Sequence, residues 1–143
     1  MEASAGVSTE VRNPDLSRHG GGSIDRVSSI SGRMPGRGTA AYRCSKAGID
    51  MLVKVAAIEL GAHGVRVNAV APGITETTMN AEFRAVPGMV DRMSSRTPLS
   101  GIAAPATIAD VVVGLLRMDW VTGHTLAADG GLSLYRALDQ GDG

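Results

Sequence analysis

The sequence predicts an α/β fold in which a parallel sheet of about three strands is flanked by helices. Short runs rich in β-branched residues alternate along the chain with longer segments of helical periodicity. Two strands joined through a helix run parallel, and the crossover between them is right-handed. We therefore expect strands at 23–29, 65–71 and 124–128, with a helix over 40–60 crossing between the first two.

The chain divides into three expected regions. Residues 1–22 show neither helical nor strand periodicity and end in a run of glycines, which indicates an irregular N-terminal segment. Residues 23–134 carry every predicted element and form one domain. The polar residues 135–143 are expected to be a flexible tail.

The segment 40–60 has the strongest helical pattern. Its apolar residues recur at three- and four-residue intervals, and Gly61 and Gly64 stop the helix. The predicted buried stripe consists of Ile49, Leu52, Val53, Ala56 and Leu60.

Proline and glycine residues mark the ends of the elements that follow this helix. The strand 65–71 is ended by Pro72-Gly73, and a short helix is predicted around 79–86 before Pro87-Gly88 breaks it. Another helix is predicted to begin at Pro105, with Asp110 in its first turn. Its inner side is expected to carry Val111, Val112, Leu115 and Leu116.

Composition and charge narrow the class of protein. Apolar residues make up 43% of the 143, and 14 basic residues balance 14 acidic ones, so nothing indicates a nucleic-acid partner. One cysteine, Cys44, excludes an internal disulfide and a cysteine zinc site, and we expect no metal. Neither a membrane span nor a signal peptide is recognisable, so we expect a cytoplasmic protein.

Tyr42 and Lys46 are four residues apart near the start of the long helix, so their side chains share a face. An ammonium close to a phenol favours the phenolate, which suits a general acid or base. The alternative is coincidence, because tyrosine and lysine occur at this spacing in many helices.

Ser29 precedes Tyr42 by thirteen residues, at the predicted carboxyl end of a strand. Ligands of open α/β sheets bind at that end, where a serine can hydrogen-bond a substrate oxygen. Alternatively, Ser28, Ser29 and Ser31 only cap the turn.

The turn at Pro72, Gly73, Ile74 and Thr75 ends the next strand on the same edge of the sheet. A sharp turn there exposes backbone amides to a polar ligand. An ordinary strand-to-helix turn is the alternative.

Taken together, these motifs resemble the short-chain dehydrogenase/reductase family. The resemblance covers nearly everything from Gly20 to Leu134, and it is greatest to the classical branch, which includes the 3-oxoacyl carrier-protein reductases. It implies the C-terminal half of a Rossmann-like, doubly wound parallel sheet. The motifs, in order, are Ser29, Tyr42-Arg-Cys-Ser-Lys46, Arg66-Val-Asn-Ala-Val-Ala-Pro-Gly73 and Val121-Thr-Gly-His-Thr-Leu-Ala-Ala-Asp-Gly-Gly131.

The resemblance implies a role for each site residue. Tyr42 would exchange a proton with the oxygen of an alcohol or ketone substrate while a hydride passes to or from NAD or NADP. Ser29 would hydrogen-bond that oxygen, and Lys46 would hold the nicotinamide ribose. Pro72, Gly73, Ile74 and Thr75, with Thr77 nearby, would contact the nicotinamide.

The sequence also departs from the family pattern. It lacks the glycine-rich T-G-x-x-x-G-x-G turn that binds the pyrophosphate, so the choice between NAD and NADP is unreadable and binding is expected to be weak. Asp25 and Arg26 occupy a strand that the family keeps apolar. Asp25 would be costly if buried, whereas at an open edge it would stay solvated and discourage strand pairing.

Two functions from different classes follow. The first is an NAD(P)-dependent oxidoreductase, and the second is a catalytically silent, truncated protein that acts as a dimerisation or binding module. We expect a homo-oligomer or self-association in either case. Val53 and Ala57 of the long helix are the predicted contacts.

Overall fold

The computed structural model describes residues 21–134 and shows three parallel strands in the order β1-β2-β3. They are β1 (Gly22–Val27), β2 (Val65–Pro72) and β3 (Thr125–Ala128). Helices lie on both faces of this sheet, so the predicted α/β class and its parallel, doubly wound arrangement are confirmed. The expected irregular segment 1–22, apart from its last two residues, and the expected tail 135–143 lie outside the described residues.

Helix α1 (Ala40–Gly61) crosses from β1 to β2 and covers one face of the sheet. Val53 and Ala57 are buried there against Val65, Val67 and Ala69. The prediction that Leu52 belongs to this stripe was wrong, because its side chain is 54% exposed. The prediction that Val53 and Ala57 make subunit contacts was also wrong, because both are already used in the core.

Helix α4 (Pro105–Leu116) covers the opposite face, where Ile108 and Leu115 pack with Val70. Proline in its first turn begins it as predicted. Two details differ from the prediction. Asp110 lies beyond the first turn, and Leu116, the last residue of the helix, is exposed.

The segment between β2 and α4 holds two short helices where one was predicted. Helix α2 (Ala81–Ala85) follows a 3₁₀ turn at Thr78–Asn80, and helix α3 (Met89–Ser95) begins after Gly88. Gly88 has a φ of 71°, which glycine adopts without strain. The Pro87-Gly88 break therefore ends one helix and starts the next.

Strand β1 ends at Val27, two residues before the predicted end, because Ser29 caps a 3₁₀ turn at Ile30–Gly32. Asp25 lies within β1, next to Asn68 of β2. Its neighbour Ile24 packs on the α1 face, so by strand alternation Asp25 points to the α4 face. Both carboxylate oxygens are buried there without a hydrogen-bond partner among residues 21–134, so a solvated edge charge was the wrong alternative.

Among residues 21–134, no helix is long and apolar enough to cross a bilayer. No cluster of histidine, cysteine and carboxylate side chains in the same range could hold a metal ion.

Candidate functional site

An open cavity of about 1060 Å³ lies at the carboxyl ends of β1 and β2. This is the edge where ligands bind in open parallel sheets. All the site residues predicted from the sequence line it, namely Ser29, Tyr42, Lys46, Pro72, Gly73, Ile74 and Thr75.

Tyr42 and Lys46 enter the cavity from the first turns of α1. The Lys46 ammonium lies 5.6 Å from the centroid of the Tyr42 ring. Lys46 Nζ also donates a hydrogen bond of 3.2 Å to the carbonyl oxygen of Val27, the last residue of β1. An ammonium has three donors, so at least one remains for a ligand after this bond.

Ser28 and Ser29 follow β1 directly, and their hydroxyls have different partners. Ser28 Oγ donates to Asp50 Oδ1 at 2.7 Å, so this hydroxyl holds the turn to α1. Ser29 Oγ accepts the amide hydrogen of Ser31 at 3.1 Å. Capping therefore occurs at Ser29 as the alternative expected, yet its own O–H proton stays free to donate into the cavity.

Two arginines hold the β1–α1 connection in place. Arg33 donates to Asp50 Oδ2 at 3.0 Å and to the carbonyl oxygen of Thr125 at 2.9 Å. Arg43 donates to Thr39 Oγ1 at 2.7 Å and to the carbonyl oxygen of Met34. The loop that forms one wall of the cavity is thus tied to α1 and to β3.

The turn after β2 is shaped by close backbone approach. A Cβ on Gly73 would lie 2.8 Å from the Cα of Asp129, so only glycine fits there without displacement. Burial raises the pKa of the Asp129 carboxyl, but hydrogen bonds from Ser133 and Gly131 outweigh it and hold that pKa below its usual value. An ionised Asp129 therefore braces the glycine turn after β3 against Gly73.

Thr75 pairs with Ala103 in a parallel bridge beside the cavity. Its carbonyl oxygen accepts a hydrogen bond of 2.6 Å from Asn80 Nδ2, whereas Thr75 Oγ1 is buried and has no partner. Buried hydroxyls usually have a partner, so this one is available to a ligand group. Thr77, which caps the following turn, also lines the cavity.

Sequence reasoning missed Asp50, Arg43 and Arg96. Asp50 comes one helical turn after Lys46, and that four-residue spacing was the signal for a side chain facing the same turn. Arg43 and Arg96 line the cavity, but no local pattern distinguishes them from surface arginines.

Part of the segment 75–96 lines the cavity with apolar side chains. Met79, Phe83 and Met93 line the cavity, whereas Val86, Met89 and Val90 do not. One face of α2 and α3 therefore supplies an apolar wall.

Comparison with known proteins agrees with this architecture. Residues 4–133 match the family model described as enoyl-(acyl carrier protein) reductase. The chain is 38% identical over 130 residues to 3beta-hydroxysteroid dehydrogenase 1 of Eggerthella lenta. The aligned region covers 90% of this chain and 50% of that protein.

Solved structures show the same fold. A short-chain type dehydrogenase/reductase from Mycobacterium ulcerans superposes with a TM-score of 0.79 at 34% identity, covering 86% of this chain and 46% of that one. A gluconate 5-dehydrogenase from Burkholderia cenocepacia, in complex with NADP and tartrate, superposes with a TM-score of 0.81 at 26% identity. The match covers 86% of this chain and 49% of that one. The chain spans about half the length of the relatives it matches. It belongs to the short-chain dehydrogenase/reductase family of oxidoreductases.

Proposed function

We propose that this protein takes part in hydride transfer between NAD or NADP and an alcohol or ketone, with Tyr42 as the acid/base. The observation that carries the proposal is the single cavity lined by Ser29, Tyr42 and Lys46 together with the turn after β2. A donor pair, a cation and a glycine turn at one sheet edge suit a carbonyl group and a nicotinamide.

Tyr42 would give its phenolic proton to the substrate oxygen in reduction and take it back in oxidation. Ser29 would donate its free O–H to the same oxygen. Two preset donors stabilise the negative charge that develops there, typically by a few kcal/mol each. The Lys46 ammonium, 5.6 Å from the centroid of the Tyr42 ring, would place a positive charge beside the reacting oxygen.

The residues present fit the nicotinamide half of the cofactor. Thr75 Oγ1 is a buried hydroxyl without a partner, which suits the carboxamide, and Lys46 has free donors for the ribose. When bound, the nicotinamide would supply or accept the hydride. The choice between NAD and NADP stays open, and we expect weak binding because the sequence has no glycine-rich pyrophosphate turn.

The test is the oxidation of NADH and NADPH by the purified chain with a panel of ketones. Tyr42→Phe keeps the ring and removes the proton, so kcat should fall by roughly 100-fold or more. Trp120→Phe, at a fully exposed aromatic residue outside the cavity lining, should leave kcat unchanged. Equal rates for Tyr42→Phe and the unmodified chain would contradict the assignment.

The second candidate is a catalytically silent protein that acts as a dimerisation or binding module. It is favoured by the outer side of α1, where Met51, Leu52, Val55 and Ile58 are exposed. No nicotinamide oxidation with any ketone, together with stable self-association, would support this candidate over the first.

A further inference from the structure

The charged residues that line the cavity are all cationic. They are Arg43, Lys46 and Arg96, and no aspartate or glutamate of residues 21–134 lines it. The chain as a whole carries no net charge, with 14 residues of each sign. The excess of positive charge is therefore local to the cavity, which favours an anionic ligand there.

Within residues 21–134, only one of these cations has all its donors free. Arg43 is bound to Thr39 and to the loop carbonyl of Met34, and Lys46 donates to Val27. Within residues 21–134, Arg96 makes neither a side-chain hydrogen bond nor an ion pair. Its guanidinium offers five donors to a ligand.

Two carboxylates beside the cavity lining are paired with other arginines. Glu76, between two residues of the cavity lining, is paired with Arg84 at 2.9 Å. Asp50, which lies on α1 four residues after Lys46, is paired with Arg33 at 3.0 Å. The positive charge at Arg96 is therefore not neutralised from the described part of the chain.

Arg96 adjoins the apolar wall. It follows Met93 by three residues at the end of α3, and both line the cavity with Met79 and Phe83 of the preceding segment. A ligand bound along this wall would meet apolar side chains along its length and a guanidinium at α3.

We propose that Arg96 is a specificity residue for substrates with an apolar body and an anionic group, either a carboxylate or a phosphate. This rests on the proposed function, since the reacting alcohol or ketone of the same molecule would lie at Tyr42 and Ser29. The anion pairs with the Arg96 guanidinium, and the apolar body lies against Met79, Phe83 and Met93.

Titration calorimetry of the full chain tests this with three probes of equal chain length: 3-hydroxyoctanoate, its uncharged amide and octyl phosphate. Arg96→Gln should weaken binding of the favoured anion about tenfold and change the amide less than about twofold. Arg92→Gln removes the same charge from α3 outside the cavity lining, and it should leave all three affinities unchanged. Added salt should weaken anion binding to the unmodified chain and to Arg92→Gln, because screening acts on exposed charges.

Preference for the carboxylate or for the phosphate identifies the anionic group, and either result supports the proposal. It is overturned if the amide binds to the unmodified chain as tightly as both anions, or if Arg96→Gln and Arg92→Gln behave alike. Binding needs no hydride transfer, so anion selectivity through Arg96 without nicotinamide oxidation contradicts the proposed function alone. Activity on neutral ketones, with no effect of Arg96→Gln on anion binding, contradicts the specificity role alone.

Discussion

At the scale of single residues, Asp25 is the least favourable feature of the described structure. Its carboxylate oxygens are buried on the α4 face of β1 and have no hydrogen-bond partner. Burial raises the pKa of Asp25 above its usual 3.8, and the positive charge of Arg66 only partly opposes this. The folded state therefore holds the Asp25 proton more tightly than the unfolded chain does.

The destabilisation caused by burying Asp25 depends on pH. Below pH 3.8 Asp25 is protonated in both states and costs little, whereas the penalty grows as pH rises through its folded pKa. Asp25→Asn should thus stabilise the protein at neutral pH by roughly 1 kcal/mol, a low value because solvent still screens part of the strand. Urea unfolding across the pH range measures this difference.

Asp110→Asn is the control for Asp25→Asn, since Asp110 is exposed on α4 and should change stability little at any pH. If Asp25→Asn is no more stable than the unmodified chain at neutral pH, the carboxylate has a partner in solution and its burial does not destabilise the protein.

At the scale of elements, the geometry of the candidate site depends on how the turn after β1 packs on α1. Gly32 ends the 3₁₀ turn, and a Cβ there would lie 2.9 Å from the backbone carbon of Lys46 and from the amide nitrogen of Ala47. Backbone atoms of a helix cannot give way as a flexible side chain can. The turn and the helix are thus held at a separation that only glycine permits.

We expect Gly32→Ala to push the Ser29 turn away from Lys46, lowering both stability and any ketone reduction. The loss of stability should be about 1–3 kcal/mol, as for other overpacking changes. Gly48→Ala is the matched control, because its Cβ would meet nothing within 4 Å inside α1. It should stabilise the protein by about 0.5–1 kcal/mol. Thermal unfolding of the two variants decides, and equal shifts of the same sign would refute the packing argument.

At the scale of the whole molecule, α1 presents two apolar sides and only one of them is covered. The inner side packs on the sheet through Val53 and Ala57. The outer side exposes Ile58 at 83%, with Met51, Leu52 and Val55 beside it along the helix. Exposed apolar groups in a contiguous patch commonly mark an interaction surface.

We expect the purified chain to self-associate through this outer side of α1. Ile58→Lys should reduce the associated fraction in sedimentation velocity severalfold, because it places a charge in the apolar contact. Trp120→Lys introduces the same charge at a fully exposed apolar residue outside α1 and should leave association unchanged. A monomer at high concentration, or equal effects of both substitutions, would exclude this surface.

Several features of the fold and site could be predicted from local sequence alone. The β-branched run before Pro72-Gly73 predicts β2, and the glycines at 61 and 64 predict the end of α1. The spacing of Ser29, Tyr42 and Lys46 along one strand end and one helix face is what lets all three line one cavity. Local spacing suffices here because a strand end, a helix turn and a glycine break depend on neighbouring residues.

Only the tertiary structure decided which side of each element is covered. The apolar residues of α1 extend over more than one side, so periodicity could not tell exposed Leu52 from buried Ala57. Three features depend on segments distant in the chain. They are the burial of Asp25 on the α4 face, the hydrogen bond from Ser28 to Asp50 and the position of Arg96 at the cavity. The sequence by itself determined the order of the strands and of the two long helices, and the residues of the candidate site, because those follow from short-range geometry. Solvent exposure, charge pairing and the lining of the cavity required the packed structure, because each depends on which distant groups come into contact.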